Sequence, residues 1–154
     1  MSHSIRPTLL LGLTALTLLA GCKKKEAPPP PQAPAAAPAA PVPLAVAGVT
    51  LGKGVDASRM VTSPSSVFAV RDTIYASVYT QGVGANATVG AKWEFVKQDG
   101  STVAVNETSQ TITTTGPAYT EFHISKASAW PKGKYRVTVT LNGAASAPVE
   151  FDVQ

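Results

Sequence analysis

Cysteine is the scarcest chemistry in this chain: one residue among 154, at Cys22. A single thiol closes no disulfide within the chain, which excludes the small secreted folds stapled by bridges. Histidine is nearly as rare, at His3 and His123. His123, the one histidine outside the first 22 residues, cannot on its own fill a zinc site of the usual three or four nitrogen and sulfur ligands. Charged residues make up 14% and aromatics 6% of the chain, too few charges for a coiled coil, and the glycines lack the Gly-X-Y period of collagen. No apolar run reaches the roughly 20 residues that a spanning helix needs. Helical spacing of apolar side chains is nearly absent too, and 154 residues leave room for one ordinary domain.

What is present begins with an export pattern. Arg6 stands in a short polar start, residues 8–20 form an apolar run of 13, and Leu19-Ala20-Gly21-Cys22 follows. A secretory apolar region needs about 7 to 15 residues, so residues 1–21 read as a cleaved signal peptide. The small pair before Cys22 resembles the lipobox of bacterial lipoproteins. That resemblance implies that the Cys22 thiol takes a diacylglycerol and becomes the new N-terminus, which also explains a lone thiol in an exported chain. By the sorting rule of Gram-negative lipoproteins, Lys23 rather than Asp after the cysteine implies the outer membrane. The expected place is the cell envelope, lipid-anchored and facing the periplasm, with the leaflet left open.

The sequence pI of 9.3 points toward nucleic acid only until the charges are placed. From Gly48 to Gln154 there are nine basic and eight acidic residues, so that part is nearly neutral and no nucleic-acid partner is expected. The excess lies in Lys23, Lys24 and Lys25, where each lysine adds on the order of 1 kcal/mol at an anionic membrane surface. Residues 27–47 then hold eight prolines and nine alanines in 21 positions without a charge. Pro28 to Pro31 favour polyproline II, and residues before proline are pushed away from the helical region. At about 3.1 Å per residue, residues 27–47 reach up to roughly 65 Å; with the lipidated cysteine and the lysines they make up a disordered Pro/Ala-rich tether, residues 22–47.

The domain at residues 48–154 is written in alternation. Ile74, Ala76 and Val78 alternate with Tyr75, Ser77 and Tyr79; Val89, Ala91, Trp93 and Phe95 alternate with Gly90, Lys92 and Glu94. Each run predicts a half-buried strand. Residues 134–141 and 149–153 alternate in the same way and predict a closing hairpin around Asn142-Gly143. Asp99-Gly100 separates a strand ending at Gln98 from one over residues 102–105, and both pairs tolerate the positive φ of tight turns. With further strands at residues 46–51, 110–114 and 119–125, about seven to eight strands predict an all-β sandwich.

Trp93 on the third main strand and Gly133-Lys134-Tyr135-Arg136-Val137, which resembles a tyrosine corner, favour the immunoglobulin-like arrangement. Val137 and either Ala76 or Val78 stand where such domains keep their bridging cysteines. Over nearly all of the domain the segments Asp72-Thr73-Ile74-Tyr75-Ala76-Ser77-Val78, Ala91-Lys92-Trp93, Phe122-His123-Ile124-Ser125-Lys126 and Trp130-Pro131-Lys132-Gly133-Lys134-Tyr135 resemble a group of uncharacterised Gram-negative lipoproteins. The resemblance implies fold and location and brings no activity with it.

Catalytic chemistry is thin. With His3 in the cleaved segment, His123 is the one histidine left, and a lone strand histidine ordinarily lacks an activating partner. No Gly-x-Ser-x-Gly elbow and no Asp-x-Asp-x-Asp loop occurs. Gly82-Val83-Gly84-Ala85-Asn86-Ala87 matches a dinucleotide-type spacing, yet a strand follows where the phosphate-binding helix belongs. Glu94, Glu121 and Glu150 fall on outward positions of different strands, and Lys92 and Glu94 share a solvent side with Arg136, Glu150 and Asp152, an opposite-charge ladder worth roughly 0.2 to 1 kcal/mol per pair. No enzyme activity, metal or cofactor is expected.

One feature exceeds this background. Tyr75 and Tyr79 point outward on one strand, Tyr119 and His123 on another, and those two strands neighbour each other in an immunoglobulin-like sandwich. Four rings on one outer face suit a recognition surface, although tyrosine also simply suits strands and residues 50–66 could hide the rings. The expectation is therefore a lipid-anchored binding module with a membrane partner through Cys22 and an envelope protein or glycan at the ring face. A structural spacer of an envelope complex is the alternative.

Overall fold

Threonine, valine and tyrosine crowd the alternating segments, and such side chains pack well on a pleated, half-buried surface. The computed structural model describes residues 40–154. It has nine strands: β1 (Ala45–Gly52), β2 (Val67–Phe68), β3 (Ile74–Gln81), β4 (Gly84–Val96), β5 (Thr102–Thr114), β6 (Ala118–Ile124), β7 (Gly133–Leu141), β8 (Ala144–Ala145) and β9 (Val149–Val153). One sheet has the order β1-β3-β6, the other β2-β9-β7-β4-β5 with β8 beside β7. Only β2 and β9 pair in parallel. This is an immunoglobulin-like β-sandwich without a disulfide.

The inward set of each sheet meets between them. Ile74, Ala76, Val78, Phe122 and Ile124 of the small sheet face Val89, Trp93, Tyr135, Val137 and Phe151 of the large one, all buried. Phe151 is the hub. Its ring stacks on Tyr135 at 5.4 Å and meets Trp93 and Phe68 edge-on at 6.0 and 5.5 Å. Such ring pairs add about 0.5 to 1.5 kcal/mol beyond their buried area. The Tyr135 hydroxyl donates to the Pro131 carbonyl at 2.8 Å, the tyrosine corner anticipated from the sequence, and burial pushes its pKa up. Apolar Val137, Ala76 and Val78 fill the space of a bridge.

The backbone pairing also defines two ends. Ala45 pairs with Gln81 and Pro43 bridges Val83 at the entry end. Gly52 pairs with Tyr75, Ile124 with Ile74 and Lys134 with Val96 at the far end. β1 begins at Ala45, one residue ahead of the strand expected over residues 46–51, so its first residues overlap the Pro/Ala-rich segment. Val46 and Val49 pack on the core, and glycine at 82 and 84 makes room: a Cβ at Gly82 would collide with the Pro43 carbonyl. Residues 1–39, including the signal peptide, Cys22, the lysines and most of the tether, lie outside the described residues.

Two further expectations are corrected. Residues 102–105 and 110–114 are not separate strands but parts of the 13-residue β5. Its partner β4 is equally long, and the extra residue, Val105, is absorbed in a bulge between the Trp93–Asn106 and Glu94–Ala104 pairs. The Asn142-Gly143 turn, with φ of 50° and 85°, leads first into the short β8 and only then to β9.

Candidate functional site

In-register pairing of β3 with β6 sets Tyr75 opposite His123, Ser77 opposite Glu121 and Tyr79 opposite Tyr119. Because Ile74, Ala76 and Val78 on β3, and Phe122 and Ile124 on β6, turn inward, all four rings share the outer face. They form two cross-strand pairs. Tyr79 and Tyr119 stack at 4.9 Å between centroids; Tyr75 and His123 lie tilted at 5.4 Å. Four residues at about 3.3 Å each separate the pairs by roughly 13 Å.

The three tyrosines are half-buried and His123 is exposed. Polar groups fix the surround: Glu121 Oε1 lies 2.6 Å from His123 Nδ1, and Gln81 Nε2 donates to the Tyr79 hydroxyl at 2.9 Å.

Between the two pairs the face is covered. The β1–β2 connection folds back over the sheet and the Ser77 hydroxyl donates to the Arg59 carbonyl at 2.6 Å, which leaves Ser77 only 3% exposed. The Asp56 carboxylate shapes this connection by accepting from the N–H groups of Ser58 and Met60. Gly52 is required beneath it, since a Cβ there would collide with Val61. The rings therefore form a divided surface, one pair on each side of a crossing loop.

The opposite outer face holds what alternation could not foresee. Glu94 was expected in solvent with Glu121 and Glu150, yet it is 6% exposed. Arg136 Nε donates to it at 2.8 Å, Lys92 Nζ approaches to 3.0 Å and the Thr102 hydroxyl donates at 3.2 Å. The Arg136 guanidinium first, and Lys92 second, hold this carboxyl below the usual glutamate value. Glu94 forms part of the wall of a hydroxyl-lined trough of about 590 Å³ with Thr88, Ser109, Thr138 and Thr140. Of the expected charge ladder, Lys92 and Arg136 pair with Glu94, while Asp152 meets Lys134 instead, at 3.5 Å. Among the described residues no three His, Cys, Asp or Glu side chains gather as a metal site requires.

No protein-family model matches the chain, and no curated protein sequence matches it. Among solved structures it is similar to an immunoglobulin-like protein from Pseudomonas aeruginosa, at 14% identity and a TM-score of 0.50 over 73% of this chain and 98% of that one. It is also similar to a β-glucosidase of saponin metabolism from intestinal bacteria, at 14% identity and a TM-score of 0.49, covering 73% of this chain and 16% of that one. An alkylpurine DNA glycosylase from Pseudomonas fluorescens gives 15% identity and a TM-score of 0.43, over 72% of this chain and 30% of that one. The chain thus spans less than a third of either enzyme. At such identity the first of these likenesses shows the fold, an immunoglobulin-like β-sandwich.

Proposed function

We propose that this chain is a lipid-anchored protein of the Gram-negative envelope, acylated at Cys22, held at the outer membrane by its Lys/Pro/Ala tether, and acting through its sandwich domain as a binding module. The ring face of Tyr75, Tyr79, Tyr119 and His123 is the contact surface, and an envelope protein or glycan its partner. One observation carries this reading: two aromatic pairs on adjacent strands stand on the outer side of a sheet whose inner side already supplies the core. Aromatic side chains give large contact area at small entropic cost, and central tyrosines in an interface contribute about 2 kcal/mol or more.

The test is capture of envelope partners by cross-linking in intact cells, with wild type beside the variant carrying Tyr75→Ala, Tyr79→Ala and Tyr119→Ala. A folded variant should lose the partners that wild type captures. Retention of every partner by a folded variant removes the ring face from the reading. Cys22→Ser should move the protein from the membrane to the soluble fraction, and persistence at the membrane would remove the acyl anchor. A spacer role is separated by shortening residues 27–40, which leaves Pro43 and β1 intact; a binding module tolerates that deletion.

A further inference from the structure

The two sheets are unequal, and the inequality leaves a crevice. The small sheet ends at β6, whereas the large one continues past β4 to β5, so the inward side of the first half of β5 has no strand opposite it. Phe95, Val103, Val105, Ile124, Trp130 and Tyr135 line the resulting cleft, with a volume of about 450 Å³. This lies within the roughly 300 to 1,000 Å³ of small-molecule sites, which are mostly apolar with a few placed polar groups. Ile124, Trp130 and Tyr135 are buried at its floor, while Val103 remains 45% exposed at its mouth.

The polar groups at the cleft are Asn106, Ser125 and Lys126. Lys126 Nζ stands 5.9 Å from the centre of the Trp130 ring. An adjoining trough, which shares Phe95, carries Lys97, Lys132 and Lys134. Of these four lysines only Lys134 meets a carboxylate within 4 Å among the described residues. The acid beside them, Asp99, is held by the N–H and hydroxyl of Ser101 at 2.8 and 2.6 Å. An apolar cleft with an unpaired cation at its mouth complements a molecule with an apolar body and an anionic head.

An extended peptide fits less well. It would have to add beside β6, and there Gln110 Nε2 already donates to the outward Glu121 carbonyl at 2.6 Å, which blocks the middle of the free edge.

We propose that the cleft between β5 and the β6–β7 connection binds one molecule of a free anionic amphiphile, its apolar chain against Phe95, Val103, Val105 and Trp130 and its head at Lys126. This site is separate from the ring face and stands or falls without it.

The chain carries its own reporter, because its two tryptophans divide between the cleft (Trp130) and the sealed core (Trp93, fully buried). The full chain is titrated with a bromine-labelled long-chain fatty acid below the concentration at which that acid self-associates, and tryptophan fluorescence is followed. Saturable quenching with one-to-one stoichiometry is expected, lost in Trp130→Phe. Lys126→Glu, or the methyl ester in place of the acid, should weaken binding about tenfold or more, and Val103→Asp should abolish it in a protein of unchanged melting temperature. Absence of saturable quenching overturns the site. Quenching that survives Trp130→Phe puts the chain elsewhere, quenching indifferent to Lys126→Glu and to the ester removes the anionic head, and quenching seen only with anionic lipid vesicles replaces a single-molecule cleft by a membrane surface.

Discussion

Glu94 shows how much a single side chain can depart from its strand's pattern. Its position on β4 is outward, as alternation requires, but outward is not the same as solvated. Arg136 from β7, Lys92 from β4 and Thr102 from β5 close over it. The carboxylate therefore contributes stability in its ionised form. With a folded pKa below the ordinary 4.5, that contribution is complete above the unfolded value and is lost as pH falls through the folded one. Glu94→Gln should lower unfolding free energy at pH 7 by about 1.5 to 3 kcal/mol, the range for hydrogen bonds to charged groups. The gap from wild type should shrink toward pH 3. Urea unfolding at both pH values measures this, and a gap independent of pH would mean that shape rather than charge holds Glu94 in place. Trp93 offers a contrast: its ring is fully buried, and its indole N–H has no protein partner among the described residues.

Strands were the legible part of this protein, because period-two alternation is a direct image of one buried face. β3, β6 and β7 fall where Ile74, Phe122 and Val137 place them, and the cross-strand meeting of Tyr75 with His123 and Tyr79 with Tyr119 follows from their neighbourhood. What alternation cannot carry is anything decided by contacts along the third dimension. The bulge at Val105, the closing of Arg136 and Thr102 over Glu94 and the loop laid over Ser77 depend on how separate strands and loops meet. So does the cleft, which exists because one sheet is wider than the other. The loop has its own test. Ser77→Ala removes its tie to the Arg59 carbonyl, worth about 0.5 to 1.5 kcal/mol. Trypsin should then cut after the exposed Arg59 several-fold faster while the melting temperature falls by only a few degrees; an equal rate would show that Asp56 and the Gly52–Pro64 bridge hold the loop alone.

At the scale of the whole domain, the entry of the chain beside Val83 and its exit at Gln154, next to Val153 paired with Gly133, put the two termini of the described fold at opposite ends of the strands. The consequence is mechanical. Tension applied between Ala40 and Gln154 runs along the strand axes, so the seven residue pairs joining β1 to β3 are loaded together, in shear. Tension applied between Lys53, at the other end of β1, and Gln154 opens the same pairs one after another. Single-molecule pulling with handles at Ala40 and Gln154 should therefore give one abrupt rupture at a force well above that for handles at Lys53 and Gln154, and equal forces would mean that another interface yields first. A domain strung in this way resists being drawn out along the line of its own leading segment while its first strand peels readily from the other side.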